Sequence, residues 1–175
     1  MGHLIYKKVV IGRGDIATAI KDKEGFTYYC NGVSNRYPLT DTTAANEITE
    51  VARQDKNDMF VYISTLSVYY SASSYTLHKV MVEEVIRKNF DNYCIIRIGN
   101  ITWGDNPNTL LNYLGFKISK KEKIKTHDTW RYLVDREEFQ HWVGMIPRFG
   151  KHEMNITGKR YKVKKIVEMI KSGKI

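Results

Sequence analysis

Tyr75-Thr-Leu-His-Lys79 sets a phenol and an ammonium four residues apart, the spacing that puts two side chains on one face of a helix. A cation beside a phenol lowers its pKa from about 10 and makes it usable as a general acid/base near neutral pH. Upstream, Ser64-Thr65 ends an apolar run, where a hydroxyl can stand beside that phenol. A second constellation lies near the start: Gly12-Arg13-Gly14-Asp15-Ile16-Ala17 has the form G-x-G-x-x-A. In such a turn backbone N–H groups approach a pyrophosphate, and the N-terminus of the following helix adds partial positive charge. Gly12 would make the tight turn, Gly14 the close approach and Ala17 the helix–strand packing. A plain strand–helix turn would use the same residues, and a Tyr…Lys pair alone is compatible with an ordinary helix surface. Their order along the chain is what a hydride-transfer site needs.

These residues require elements to hold them. Residues 4–11 (LIYKKVVI) predict a strand ending at Gly12, followed by a short helix to Lys21. Phe26–Cys30 predicts a second strand closed by Asn31-Gly32, and Met59–Ser64 a third. Residues 43–55 have helical composition, with Ala44, Ile48, Val51 and Ala52 sharing a face. Residues 75–90 form the strongest helix pattern, and Tyr93–Ile98 a fourth strand. Strands alternating with helices predict an α/β fold, a parallel sheet covered on both faces. Beyond Gly104 the pieces are shorter: helices at 109–118, 136–144 and 163–171, strands at 131–135 and 153–157. They read as a small C-terminal cap, 109–175, on a core of residues 1–108, at the edge where open α/β sheets bind ligands.

Length and composition agree. The 175 residues fit one domain, and 42% hydrophobic content supports a core and excludes disorder. No apolar run approaches the ~20 residues that span a bilayer. Lys7 and Lys8 interrupt the apolar opening, which disfavours a signal peptide, and Tyr6 stands where a myristoylation motif wants Ser or Thr. Cys30 and Cys94 read as buried free thiols, and the expectation is a cytoplasmic protein with no membrane partner. His127, His141 and His152 lack metal-ligand spacing, so no metal is expected. The net charge of +9 is uneven: residues 1–110 carry 12 basic and 12 acidic side chains, residues 111–175 carry 16 and 7. That excess suits a phosphorylated small molecule or simply a solvated basic surface. Nucleic acid is disfavoured because no nucleic-acid-binding motif accompanies the charge.

Five segments in order carry a resemblance. VYISTLSVYY (61–70), Tyr75…Lys79 with Glu83, Arg97-Ile-Gly-Asn100 through Gly104, Arg131-Tyr-Leu-Val-Asp135 and Met154-Asn-Ile-Thr-Gly158 together resemble the NAD-dependent epimerase/dehydratase family. These are the extended short-chain dehydrogenase/reductases. The resemblance implies a Rossmann-like sheet, NAD or NADP as cofactor, and oxidation of a sugar hydroxyl by hydride transfer. It implies that Gly12, Arg13, Gly14, Asp15 and Ile16 line the pyrophosphate, that Asn31 ends a strand over the cofactor, and that Thr65 binds the substrate oxygen. Tyr75 would exchange the proton, Lys79 lower the phenol's pKa and hold the nicotinamide ribose, Asn100 lie near the nicotinamide, and Arg131 pair with a nucleotide-sugar phosphate. Relatives commonly pair as homodimers through helices in the places of 43–55 and 75–89.

The chain also departs from that pattern. Phe26–Ser34 reads like the family's fourth strand, yet it follows Ala17 by only nine residues. On this alignment the second and third strands are deleted, with the acidic residue that holds the adenosine ribose. Arg36 then lies beyond the fourth strand and is no substitute ligand for a 2′-phosphate. The expected sheet is shortened to about four parallel strands with the first at an edge. A non-catalytic binding or regulatory relict of the same fold is the alternative expectation.

Overall fold

Three runs, Phe26–Tyr29, Met59–Thr65 and Tyr93–Ile98, are buried at nearly every position, the pattern of parallel strands covered on both faces. In the computed structural model, which describes residues 9–34, 39–124, 126 and 128–175, they are β2, β3 and β4. The strand expected at 4–11 is described only as β1, Val10–Ile11, and Arg36 and His127 fall outside the described residues. With β7 (Lys151–Ile156) they make one sheet in the order β1-β2-β3-β4-β7, every pair parallel. The described sheet therefore has five strands where about four were expected. The extra one comes from the segment read as cap. β4 is buried along its whole length and needs a neighbour on each edge, and β7 lies in register along it from Tyr93↔Lys151 to Ile98↔Ile156. As expected, β1 pairs with β2 and ends the sheet.

Alternation along the strands divides the core in two. Tyr28, Met59, Val61, Ile63, Cys94 and Ile96 face α1 (Asp15–Ala19) and α5 (Arg136–Gly144), from which Ala19, Phe139 and Val143 enter the cluster. Tyr29, Phe60, Tyr62 and Ile95 face α2 (Asp41–Ala52) and α3 (Ser74–Asn89), which contribute Val51, Val82 and Ile86. Helix α2 begins earlier than its apolar pattern because Thr40 and Thr43 cap it reciprocally. Helix α3 starts where the Ser73 hydroxyl accepts from the Thr76 N–H.

A second sheet, in the order β5-β6-β8, combines β5 (Asn100–Ile101), β6 (Trp130–Val134) and β8 (Lys159–Lys162). It packs with α4 (Leu110–Ser119) and α6 (Val163–Lys171) around Leu114, Leu133, Ile166 and Val167. β5 and β8 are absent from the sequence reading: one is two residues long, and the other, Lys-Arg-Tyr-Lys, has no buried face to give it alternation.

One ionic assembly fixes α3 against the sheet. Glu83 is 2% exposed and receives two hydrogen bonds from the Arg97 guanidinium on β4, at 3.0 and 2.5 Å, and one from the Ser64 hydroxyl at 2.7 Å. Arg97 continues to Glu153 on β7 at 2.8 Å and to the Tyr69 hydroxyl at 2.8 Å. A planar guanidinium fork meeting a carboxylate on both oxygens fixes orientation as well as distance. Arg97→Ala removes the bidentate partner of the buried carboxylate, leaving it only Ser64 and the more exposed Arg87, and is expected to cost about 3–5 kcal/mol. Urea unfolding midpoints of wild type and variant measure it, and a loss below about 1 kcal/mol would contradict the assignment.

Candidate functional site

At the C-terminal ends of β1, β2, β3 and β4 lies a cleft of about 370 Å³. Its walls include Gly14 and Asp15 at the start of α1, Gly32 and Val33 after β2, Thr65 at the end of β3, Tyr75 and Lys79 on α3, and Asn100 on β5. The volume is near the lower end of the range for small-molecule pockets.

The Thr65 hydroxyl caps the short 3-10 helix Leu66–Tyr69 by accepting from the Ser67 N–H at 3.1 Å, and it lines the cleft with the Tyr75 phenol, near enough to favour the phenolate. The expected hydroxyl–phenol pair is thus brought together. Lys79 lies on the same face, its ammonium 5.8 Å from the centre of the Tyr75 ring. The phenol's acidity, however, differs from expectation. Burial and the nearby Glu47 carboxylate push its pKa up to about 12, and the Thr65 hydroxyl offsets only part of that. Burial is the larger cause, and Lys79, whose ammonium already has a counter-ion, is not among the groups that lower it.

That counter-ion is Glu47, 4% exposed on α2. Its carboxylate accepts from the Lys79 ammonium at 3.2 Å, the Tyr62 hydroxyl at 2.7 Å and the Val33 N–H at 2.7 Å, and meets His78 Nε2 at 2.8 Å. Burial alone would raise its pKa, but Lys79, Val33, Tyr62 and His78 together hold it below the ordinary carboxylate value. Burial pulls Lys79 below its ordinary value, with Glu47 opposing. Sequence reading missed Glu47 because it sits within a helix whose apolar residues carried the signal. A carboxylate next to Ile48 and four residues before Val51 looks like an ordinary surface charge. His78, just before Lys79 on α3, has its Nδ1 buried without a hydrogen-bond partner among the described residues.

The phosphate-loop residues are divided. Gly14 has an ordinary backbone (φ −78°, ψ −178°), and a Cβ built on it would meet nothing within 4 Å, so its open side faces free space. Asp15, Ile16 and Ala17 line the cleft beside it. Gly12 does not line the cleft. It has φ +129° and lies against the β2 end, where a Cβ would come within 2.9 Å of the Cys30 carbonyl. Arg13 is exposed and also outside the lining. The Asp15 carboxylate accepts from the Asp105 and Asn106 N–H groups at 3.3 and 3.1 Å, and its carbonyl accepts from the Trp103 indole at 2.9 Å. Asn31 turns away from the cleft to donate to Glu50 at 3.4 Å, which removes it from the expected place over a cofactor. Asn100 remains in the wall, donating to the Tyr132 carbonyl at 3.1 Å. Arg131 lies in a neighbouring depression of about 340 Å³ with Lys117, Lys123 and Tyr113, which shares Leu110 with the cleft. Among the described residues no group of three His, Cys, Asp or Glu could hold a metal, and no helix is long and apolar enough to cross a membrane.

Sheet, cleft and ligand-facing strand ends define a Rossmann-like α/β protein. No family model matches the sequence, and no curated protein matches it. Among solved structures, the chain is similar to UDP-glucuronic acid 4-epimerase from Bacillus cereus in complex with UDP-glucuronic acid and NAD: 16% identity, TM-score 0.59, covering 75% of this chain and 50% of that one. It is similar to the Bordetella bronchiseptica enzyme WbmG in complex with NAD and UDP, at 15% identity and TM-score 0.65, covering 81% and 54%. It is also similar to dTDP-glucose 4,6-dehydratase from Bacillus anthracis in complex with NAD, at 15% identity and TM-score 0.57, covering 74% and 50%. The likeness is one of fold, and the chain spans about half the length of these structures.

Gly32 closes the cleft floor. A Cβ there would come within 2.5 Å of the Lys79 ammonium and 2.7 Å of the Glu47 carboxylate, so only a bare backbone can cover the pair. Gly32→Ala is expected to lower stability by about 1–3 kcal/mol. The loss should shrink when combined with Lys79→Met, a non-additivity that thermal melts of the double-mutant cycle will read.

Proposed function

We propose that this chain acts at a hydroxyl of a nucleotide-linked sugar by hydride transfer, with NAD or NADP as cofactor. The observation that carries the reading is the gathering of Thr65, Tyr75 and Lys79 on one cleft that Gly14, with its open side, also lines. The ligands of the structural neighbours, NAD with UDP-glucuronic acid or UDP, support the same chemistry. Gly14, Asp15 and Ile16 would hold the pyrophosphate, and Lys79 and Asn100 the nicotinamide half; bound there, the cofactor supplies a hydride acceptor and donor. The remaining work belongs to the chain. Thr65 orients the sugar hydroxyl by hydrogen bonding, Tyr75 takes its proton, and Lys79 offsets negative charge on the phenol oxygen. The depression with Arg131, Lys117 and Lys123 suits the phosphates of the nucleotide.

Two observations favour a second reading. β1 ends the described sheet, so among the described residues the wall that holds the adenosine half in a doubly wound sheet is not built, and the phenol is held well above neutrality. A protein that binds a nucleotide sugar without turning it over fits those two facts.

Calorimetry with NAD(H) and NADP(H) separates the readings when wild type and Gly14→Asp are run side by side. Gly14 precedes α1 as its N-cap, where Asp is well tolerated, so the variant's melting is expected to match wild type. Micromolar binding that disappears in the variant supports the first reading. Absence of binding by wild type overturns it. Turnover of a nucleotide sugar is then expected to fall at least about 100-fold in Tyr75→Phe, which removes the proton carrier.

The chain is also expected to form a homodimer through α2 and α3. Leu77 and Met81 are 56% and 57% exposed on α3, one turn apart. Light scattering should give twice the 20.4 kDa chain mass for wild type and a single chain mass for Leu77→Glu/Met81→Glu.

A further inference from the structure

A lysine ammonium has three N–H donors to satisfy, and Lys79 is 3% exposed. One N–H goes to Glu47 Oε1 at 3.2 Å and one to the Tyr62 hydroxyl at 2.9 Å. The third is the donor left for the cleft, whose wall Lys79 joins. Glu47 is saturated in turn: Oε1 holds Lys79 and Tyr62, and Oε2 holds the Val33 N–H and His78. Glu83, one turn along α3, cannot serve instead, because its oxygens are taken by Arg97, Ser64 and Arg87.

We propose that Glu47 is a positioning residue of this cleft: a buried counter-ion that keeps Lys79 protonated and leaves it one N–H, directed at a hydroxyl of the bound ligand. The proposal rests on the dinucleotide reading above only for the identity of that ligand. The groups facing the pair are His78 and Tyr75 on α3, Tyr62 on β3, Tyr29 on β2 and, more distantly, Glu83. None of them is a second lysine or arginine. Without Glu47 a buried lysine gives up its proton, because burial penalises the charged form. A neutral amine no longer offsets charge on the phenol oxygen. The pairing also sets ligand class. Lys79 and Glu47 cancel, so this end of the cleft suits a neutral hydroxyl, and phosphates are met at the Gly14 end.

The test is Glu47→Gln, which conserves size, followed by NMR of lysine labelled at Cε, with the Lys79 signal assigned by its loss in Lys79→Met. The expected result is a Lys79 midpoint at least about 2 pH units below that of wild type. An unmoved midpoint in the folded variant overturns the proposal. Stability gives a second readout whose sign is fixed. Lys79 in the variant would lie further below its usual 10.5, so between pH 6 and 9 the folded state binds fewer protons than the unfolded chain. The variant's melting deficit is therefore largest near pH 6 and narrows as pH rises; a deficit independent of pH overturns the proposal. Should Glu47→Gln fail to fold, Glu47→Gln/Lys79→Met removes both members of the pair. Recovery of folding in that double variant supports the proposal, and failure to recover overturns it. Calorimetry adds the ligand: NAD(H) affinity in Glu47→Gln is expected to fall at least tenfold at pH 8 and to return toward pH 6. If wild type binds no dinucleotide, the functional reading fails while the lysine titration still decides the role of Glu47.

Discussion

An ammonium cannot lie almost wholly buried beneath apolar strands without an anion beside it, and the contact between Lys79 and Glu47 meets that condition. Much else follows from it. The carboxylate must come from α2, so α2 packs against α3. Its second oxygen holds the Val33 N–H, so the chain leaving β2 lies across the pair, and Gly32 is the residue that can pass there. Tyr62 places its hydroxyl between the two charges from the sheet beneath. Two helices, the sheet beneath them and the chain leaving β2 therefore converge on one pair of opposite charges.

A second buried carboxylate, Glu83, does for orientation what Glu47 does for charge. Its bidentate contact with Arg97 fixes α3 to β4, and the same guanidinium reaches β7. Tyr75, two turns earlier on the helix, is carried by that anchor. The two carboxylates divide their roles by partner: a forked guanidinium sets direction, while an ammonium retains a spare donor. Either helix face would otherwise be free to slide on an apolar sheet, since hydrophobic contact has no direction.

The sequence made the central architecture legible for a simple reason. β2, β3 and β4 are buried on both faces, so their composition alone identifies them, and the G-x-G-x-x-A turn and the Tyr–Lys spacing could be set on the elements between. Thr65 and Tyr75 were legible as a pair because the first ends a strand and the second begins a helix. β7 was seen as a strand but assigned to the cap, because its exposed alternate positions, Lys151, Glu153 and Asn155, resemble an isolated edge. Glu47 was not legible at all. Burial of a charge depends on the partner that tertiary structure brings, and its partners lie 14 to 32 residues away along the chain. The sign of the phenol's shift was illegible for a related reason: a Tyr–Lys spacing shows the cation, but neither the burial of the phenol, which is the larger cause, nor the Glu47 carboxylate beside it.

The Asp15 carboxylate ties the glycine turn to residues 105 and 106, and the Trp103 indole holds the same turn through its carbonyl. Asn106 and Leu110 line the same cleft as the glycine turn. The turn and the approach to α4 are thus stitched along one spine, like two pages of a book. An outward swing of residues 103–106 pulls on the glycine turn itself, so neither lining segment shifts without the other, and a change at Asp15 loosens both at once.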